Sequence, residues 1–243
     1  MEAWGLTDLG NVRRQNQDYY DIVQLDAQRL LLVVCDGMGG AKSGNVASRL
    51  AAEVFVGEIR RMARPEMTPA EIEALLREAI RLANGAVYDQ SQVSSDFEGM
   101  GTTLVAAYVT PALAVFANVG DSRAYLFDRD GIRFVTVDHS LVELMVQRGE
   151  ISREQAKNHP SKNLITRAVG TEPSVTCDVY CQKLNPGDAV LLCSDGLSNE
   201  LADQEILFEV VHGVRKEGCC QRLLDIAKGR GAPDNVTVIL ATV

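Results

Sequence analysis

Two short apolar runs, residues 31–35 (Leu-Leu-Val-Val-Cys) and 189–194 (Ala-Val-Leu-Leu-Cys-Ser), constrain this chain more than any other feature, because each ends on an aspartate, Asp36 and Asp195. Runs of this length bounded by turn signals read as strands buried on both faces. A third run, 236–241, is preceded by Asp234, and Asp18 follows Asn16-Gln17 at the start of another extended segment. Strand ends point functional groups out of a rigid core. Four carboxylates placed this way repel one another, and their natural company is hard divalent cations such as Mg²⁺ or Mn²⁺.

With 243 residues and 46% hydrophobic content, the chain has enough apolar material for a large core. Its net charge of −9 argues against nucleic-acid and anionic-membrane partners, which are bound through basic surfaces. No stretch is long and apolar enough to span a bilayer, and the first residues lack the pattern of a secretory leader, so a cytoplasmic protein is expected. The six cysteines show no paired C-x-x-C spacing, and reduced, mostly buried thiols are expected.

The periodicity predicts paired strands over 12–24 and 29–35, then a Gly-rich loop from Asp36, then two long amphipathic helices over 43–62 and from Thr68-Pro69 to about Val93. Four β segments, 102–109, 113–119, 123–128 and 132–137, read as an antiparallel meander. Residues 139–170 turn polar and helical and are expected as a flap insert. Beyond it come a strand over 189–194, helices over about 203–212 and 219–228, and a last strand over 236–243. Nothing divides the chain, so one domain spanning 1–243 is expected. Strands and helices in blocks indicate an α+β fold with antiparallel sheets covered by helices.

Asp36-Gly37-Met38-Gly39-Gly40 sets a carboxylate beside backbone without side-chain bulk, so a carboxylate and a main-chain carbonyl could share a cation. Taken alone it could equally be a turn between strand and helix, and Asp195 or Asp234 could be turn or N-cap residues. Together with Thr7-Asp8-x-Gly10-x-Val12-Arg13-x-x-Asn16-Gln17-Asp18, Gly101-Thr102-Thr103, Gly120-Asp121-Ser122-Arg123, Asp138-His139-Ser140-Leu141, Thr166-Arg167-Ala168-Val169-Gly170 and Ser194-Asp195-Gly196, they form an ordered set. In that order the motifs resemble the PPM (type 2C) metal-dependent Ser/Thr protein phosphatases in their compact bacterial form, over essentially the whole chain.

The resemblance implies a four-layer α-β-β-α sandwich with two Mn²⁺ or Mg²⁺ ions at one end. By position, Asp36 bridges both ions, Gly37 offers its carbonyl, Asp195 and Asp234 complete the second ion, and Asp18 stands beside them. Asp121 with Asp195 corresponds to a weaker third cation site. Arg13 matches the phosphate-binding arginine, a role suited to a guanidinium, which clamps phosphate oxygens bidentately. The implied chemistry is in-line attack on phosphoserine or phosphothreonine by a metal-bridging water, without a phosphoenzyme. The implied partners are phosphorylated proteins and a cognate bacterial Ser/Thr kinase, and a monomer is expected.

Three positions depart from the family pattern: Gln17 where many relatives have Glu, Met38 where some have His, and Asn199 where some have an acid. The histidines, His139, His159 and His212, have no metal-ligand spacing and read as surface or structural. Two competing readings keep the fold. One is a pseudophosphatase, expected to lose Asp36, Asp195, Asp234 or Arg13, and the other is a phosphatase of small phosphate esters.

Overall fold

The computed structural model describes residues 1–39, 43–213 and 215–243. Two antiparallel sheets lie face to face with helices on both outer surfaces. One sheet has the order β2 (Asp18–Asp26), β3 (Arg29–Met38), β5 (Leu104–Val109), β6 (Leu113–Val119), β9 (Asp178–Lys183), with the short β4 (Gly101–Thr102) on the end of β3. The other has the order β1 (Glu2–Asp8), β11 (Val236–Thr242), β10 (Ala189–Cys193), β7 (Arg123–Asp128), β8 (Gly131–Phe134). Gly40 of the Gly-rich motif lies outside the described residues.

The apolar runs behave as their composition requires. Along β3, Leu31, Val33 and Cys35 pack under the helices α1 (Gly44–Met62) and α2 (Pro69–Ser91), while Leu30, Leu32 and Val34 face the opposite sheet. On β10, Leu191 and Cys193 meet the helices of the other side, and Val190 and Leu192 point between the sheets. Those helices are α6 (Asp203–His212) and α7 (Cys219–Gly229), with a single turn, α5 (Asp195–Ser198), directly after β10. A strand covered on both faces tolerates no ionised position until it nears the edge of the core, so the first aspartate falls close to its end: Asp36 two residues before the end of β3 and Asp195 two residues after β10.

α2 starts as its sequence dictates. Thr68 accepts from the Glu71 N–H, the Glu71 carboxylate accepts from the Thr68 N–H, and Pro69 occupies the first helical position.

Several expectations need correction. The first predicted strand begins at Asp18, not Val12. Residues 10–17 instead form a loop whose Gly10 takes a positive φ of 74° and whose Asn11 N–H reaches the Ala232 carbonyl. The predicted meander is two hairpins in different sheets: β5 pairs with β6 and β7 with β8, and the chain changes sheet between Val119 and Arg123. Strands β1 and β9 carry no clear apolar alternation. β1 includes Gly5, over which the Tyr20 ring lies and whose carbonyl accepts from the Tyr20 hydroxyl, while β9 is a half-exposed edge.

Segment 139–170 leaves the sandwich after β8 and carries two short helices, α3 (Leu141–Gln147) and α4 (Arg153–Lys157). All six cysteines are free and only Cys181 is exposed. Thr68→Ala removes the cap of α2 and is expected to lower the unfolding free energy by about 1 kcal/mol, measured by urea denaturation, with the site at the far side of the helix pair unaffected.

Candidate active site

The two sheets bring their acidic strand ends to one end of the sandwich. Asp18 opens β2 directly opposite Asp36 of β3 in the antiparallel register. From the other sheet come Asp195, the first residue after the β10–Ser194 step, and Asp234, two residues before β11. Asp121 sits in the turn between β6 and β7.

Asp18 is the most deeply buried member of the set. Its Oδ2 accepts from Ser194 Oγ at 2.7 Å and Thr237 Oγ1 at 2.6 Å, both on the opposite sheet. The Thr237 hydroxyl meets Thr7 Oγ1, and Thr7 in turn accepts from Asn16 Nδ2. Burial pushes the Asp18 carboxyl up to about 7, against the lowering effect of those two hydroxyls. Burial also raises Asp195, to about 6, with the Asp234 charge adding to it. Asp36 and Asp121 are held well above the usual carboxylate range by burial first and then by neighbouring acids. Those acids are Asp18, Asp195, Asp121 and Asp234 for Asp36, and Asp195 and Asp138 for Asp121. These acids, distant in sequence, lie close enough in the fold for each charge to raise the others.

Arg13 stands at its edge. Its Nη2 donates to Asp234 Oδ2 at 2.7 Å, and the guanidinium is half exposed. That hydrogen bond is the main reason its pKa is raised, and Asp36 and Asp195 add to it. Arg14, beside it, is exposed.

Gly37 is required sterically: a Cβ there would lie 2.0 Å from the Gly44 carbonyl oxygen and 2.6 Å from that of Gln17. The Gln17 side chain reaches Gly44 at the start of α1, and Asn199 Nδ2 donates to Asp195 Oδ2 at 3.0 Å. Met38 lies along Gly101. Of the histidines, His139 is buried in a hydrogen-bonded setting, His159 accepts from the Ser161 N–H and His212 packs at a tilt against the Phe208 ring.

Sequence reasoning assigned no role to several residues that organise the site. Asn235 ties three segments together: its Oδ1 accepts from Gln17 N–H and its Nδ2 donates to the carbonyls of Leu9 and Gln15. Thr103 Oγ1 accepts from Asp36 N–H and bonds the Ser122 hydroxyl, and Thr102 Oγ1 donates to the Asp36 carbonyl. The available signal was a hydroxyl inside an apolar run, as at Ser194 and Thr237, where a small hydrophobe would otherwise stand.

Among the described residues, no three Asp, Glu, His or Cys side chains are gathered as a ready-made cation cage. The donor set nevertheless fits divalent cations. Asp18 Oδ1 and Asp195 Oδ1 are buried with no hydrogen-bond partner, and an ionised oxygen in that position needs a positive partner. Oxygen donors from several carboxylates are the chemistry that Mg²⁺ and Mn²⁺ select.

Comparison with known proteins agrees with this geometry. Residues 12–225 match the family described as protein phosphatase 2C. The chain is 37% identical over 241 residues to the serine/threonine phosphatase stp of Listeria innocua, covering 99% of this chain and 95% of that one. The crystal structure of the serine/threonine phosphatase Stp1 from Staphylococcus aureus superposes with a TM-score of 0.93 at 38% identity, over 100% of this chain and 94% of that one. The catalytic domain of the serine/threonine protein phosphatase PstP, solved in complex with two manganese ions, gives a TM-score of 0.84 at 32% identity, over 99% and 97%. The two sheets, the shared carboxylate end and these matches lead to one conclusion: the chain belongs to the bacterial branch of the protein phosphatase 2C (PPM) family of serine/threonine phosphatases.

Proposed function

We propose that residues 1–243 act as one catalytic unit, with 139–170 as its flap, that removes phosphate from phosphoserine and phosphothreonine of proteins using two Mn²⁺ or Mg²⁺ ions. The observation that carries the reading is the convergence of Asp18, Asp36, Asp195 and Asp234 with two orphaned, buried carboxylate oxygens beside Arg13. In this reading Asp36 would serve both cations, and the Gly37 carbonyl, Asp195 and Asp234 would complete the donor set. Asp18 would stand beside them, and Asp121 with Asp195 would serve a weaker third. The PstP relative carrying two manganese ions supports that stoichiometry. Bound cations supply charge neutralisation, a more acidic water and polarisation of phosphoryl oxygen.

The chain's own groups do the rest. Arg13, held in place by Asp234, presents its remaining N–H donors to phosphoryl oxygens and stabilises the charge that develops on them. Asn199 keeps one Asp195 oxygen occupied with a neutral donor, which weakens the third site. His139 is committed to Gly120 and Asp178 and Met38 carries no proton, so neither protonates the leaving alkoxide. The protein acts on phosphoproteins, and a cognate Ser/Thr kinase, a cytoplasmic location and a monomeric state complete the proposal. Among the described residues no helix is long and apolar enough to cross a membrane, and the net charge of −9 disfavours nucleic acid.

Release of phosphate from a phosphothreonine peptide in Mn²⁺ tests the reading. The wild-type chain is expected to be active, Asp36→Ala and Asp195→Ala to fall to background, and Arg13→Ala to lose about 10²–10³-fold in kcat/KM. An inactive wild type refutes the activity, and active aspartate variants refute the site.

The raised carboxyl pKa values also give a pH dependence. The folded protein holds protons that the unfolded chain releases near pH 4, so stability of the chelator-treated protein falls as pH rises from there through about 6 and 7. Its melting temperature is expected to drop between pH 5 and pH 8, and added Mn²⁺ to raise it more at pH 8 than at pH 5. A flat profile would remove the electrostatic account of the site.

A further inference from the structure

The flap helices α3 and α4 pack chiefly on each other, so the orientation of the whole segment is set at its root. Its first residue, His139, is buried there. The main chain of His139 makes two ties: its N–H donates to the Gly120 carbonyl at 2.9 Å, and its carbonyl accepts from Thr166 N–H, at the flap's far end, at 2.7 Å.

The ring makes more. Nδ1 accepts from the Gly120 N–H at 3.1 Å, which fixes the neutral tautomer with its proton on Nε2. Nε2–H then donates to Asp178 Oδ2 on β9 at 3.1 Å. Arg167, on the outgoing limb of the flap, lies against the same ring edge and donates to the other Asp178 oxygen at 3.1 Å. Burial lowers the imidazole pKa, in keeping with a neutral ring.

Both limbs are also tied near the catalytic end. On the incoming side Asp138, next to His139, takes a bidentate pair from Arg123, and Gly120 precedes Asp121. On the outgoing side Val169 exchanges backbone hydrogen bonds with Thr102, whose hydroxyl donates to the Asp36 carbonyl, and Gly170 N–H donates to the buried Asn84 of α2. The side chains of His139, Arg167 and Asp178 join the two limbs to each other and to the edge of the sheet.

We infer that His139, Asp178 and Arg167 form a latch that fixes the flap root against the catalytic end, and that these are positioning residues for phosphoprotein substrates, dispensable for hydrolysis of a small phosphate ester. A long substrate extends past the phosphate site onto whatever borders it, whereas a small ester needs the carboxylate end and Arg13 alone. The inference rests on the phosphopeptide reading above.

The test compares p-nitrophenyl phosphate with a phosphothreonine peptide, both in saturating Mn²⁺, on the full chain. Because His139 is buried and its replacement threatens folding, the half-exposed partners carry the experiment: Asp178→Asn, Arg167→Gln and the charge-preserving Arg167→Lys, each checked by thermal melting. Asp178→Asn and Arg167→Gln are expected to raise KM for the peptide at least fivefold, with kcat and the kinetics on p-nitrophenyl phosphate within twofold of wild type. Arg167→Lys is expected to return peptide KM to within twofold. Unchanged peptide KM in Asp178→Asn or Arg167→Gln, an equal loss on both substrates, or no rescue by lysine overturns the latch. A wild-type chain that turns over p-nitrophenyl phosphate but not the peptide brings down the substrate reading and the latch with it, a failure distinguished by needing no mutation.

Discussion

The facing pair of Asp18 and Asp36 is the constraint on which the rest of the catalytic end depends. Directly opposed residues of an antiparallel pair have Cβ atoms about 5 Å apart, and two full charges at that separation repel by about 3 kcal/mol at an effective dielectric near 20. A neutral hydrogen bond contributes about 1 kcal/mol net and one to a charged group about 1.5–3. The hydroxyls of Ser194 and Thr237 can therefore hold Asp18 in place, yet they leave its second oxygen, and that of Asp195, without a partner. Those hydroxyls come from the opposite sheet, so the interaction that tolerates the acid pair also stitches the two sheets together at the site. A core that packed only hydrophobes there would be simpler to fold. The buried acids make sense as donors waiting for cations.

Much of this was legible from the chain alone because the constraint is one-dimensional: a strand buried on both faces stays free of charge until it nears the edge of the core, so an aspartate beside an apolar run lies close to a strand end. Asp36, Asp195 and Asp234 were found this way, and the structure places them at one end of the sandwich. α2 was legible for a similar local reason, since Thr68, Pro69 and Glu71 form a self-contained start signal. What was not legible depends on partners distant in sequence. The segment before Asp18 looks extended, but its hydrogen bonds go to Ala232 and Asn235 at the far end of the chain, so it is a loop. The hairpins β5–β6 and β7–β8 have the pattern of a meander, and local sequence does not reveal which sheet each joins. Asn235 could not be singled out because its value lies in closing three loops around Asp234 and Gln17, a role without local periodicity.

The same distinction separates the active site from the flap. The carboxylate end is built from strands whose positions the two sheets determine. The flap is attached through its root, where His139 reads the Gly120 turn, the outgoing limb and β9 at once. In the function proposed above, the carboxylate end and its separately anchored border would be adjusted independently, the first through neighbours such as Asn199 beside Asp195 and the second through the flap root. Gln17 reaches the start of α1 and Asn199 donates to Asp195. Both are neutral amides, which add no negative charge to the carboxylates beside them.

In the proposed function the clustered aspartates are there to hold divalent cations. Calorimetric titration of chelator-treated protein with Mn²⁺, with Asp36→Asn alongside and no substrate present, tests it most directly. Two ions are expected to bind per wild-type chain, with a third only at higher concentration, and Asp36→Asn, at the residue proposed to serve both, is expected to lose the tight binding. A wild-type chain that takes up no Mn²⁺, or an Asp36→Asn variant with the wild-type stoichiometry and affinity, would contradict it.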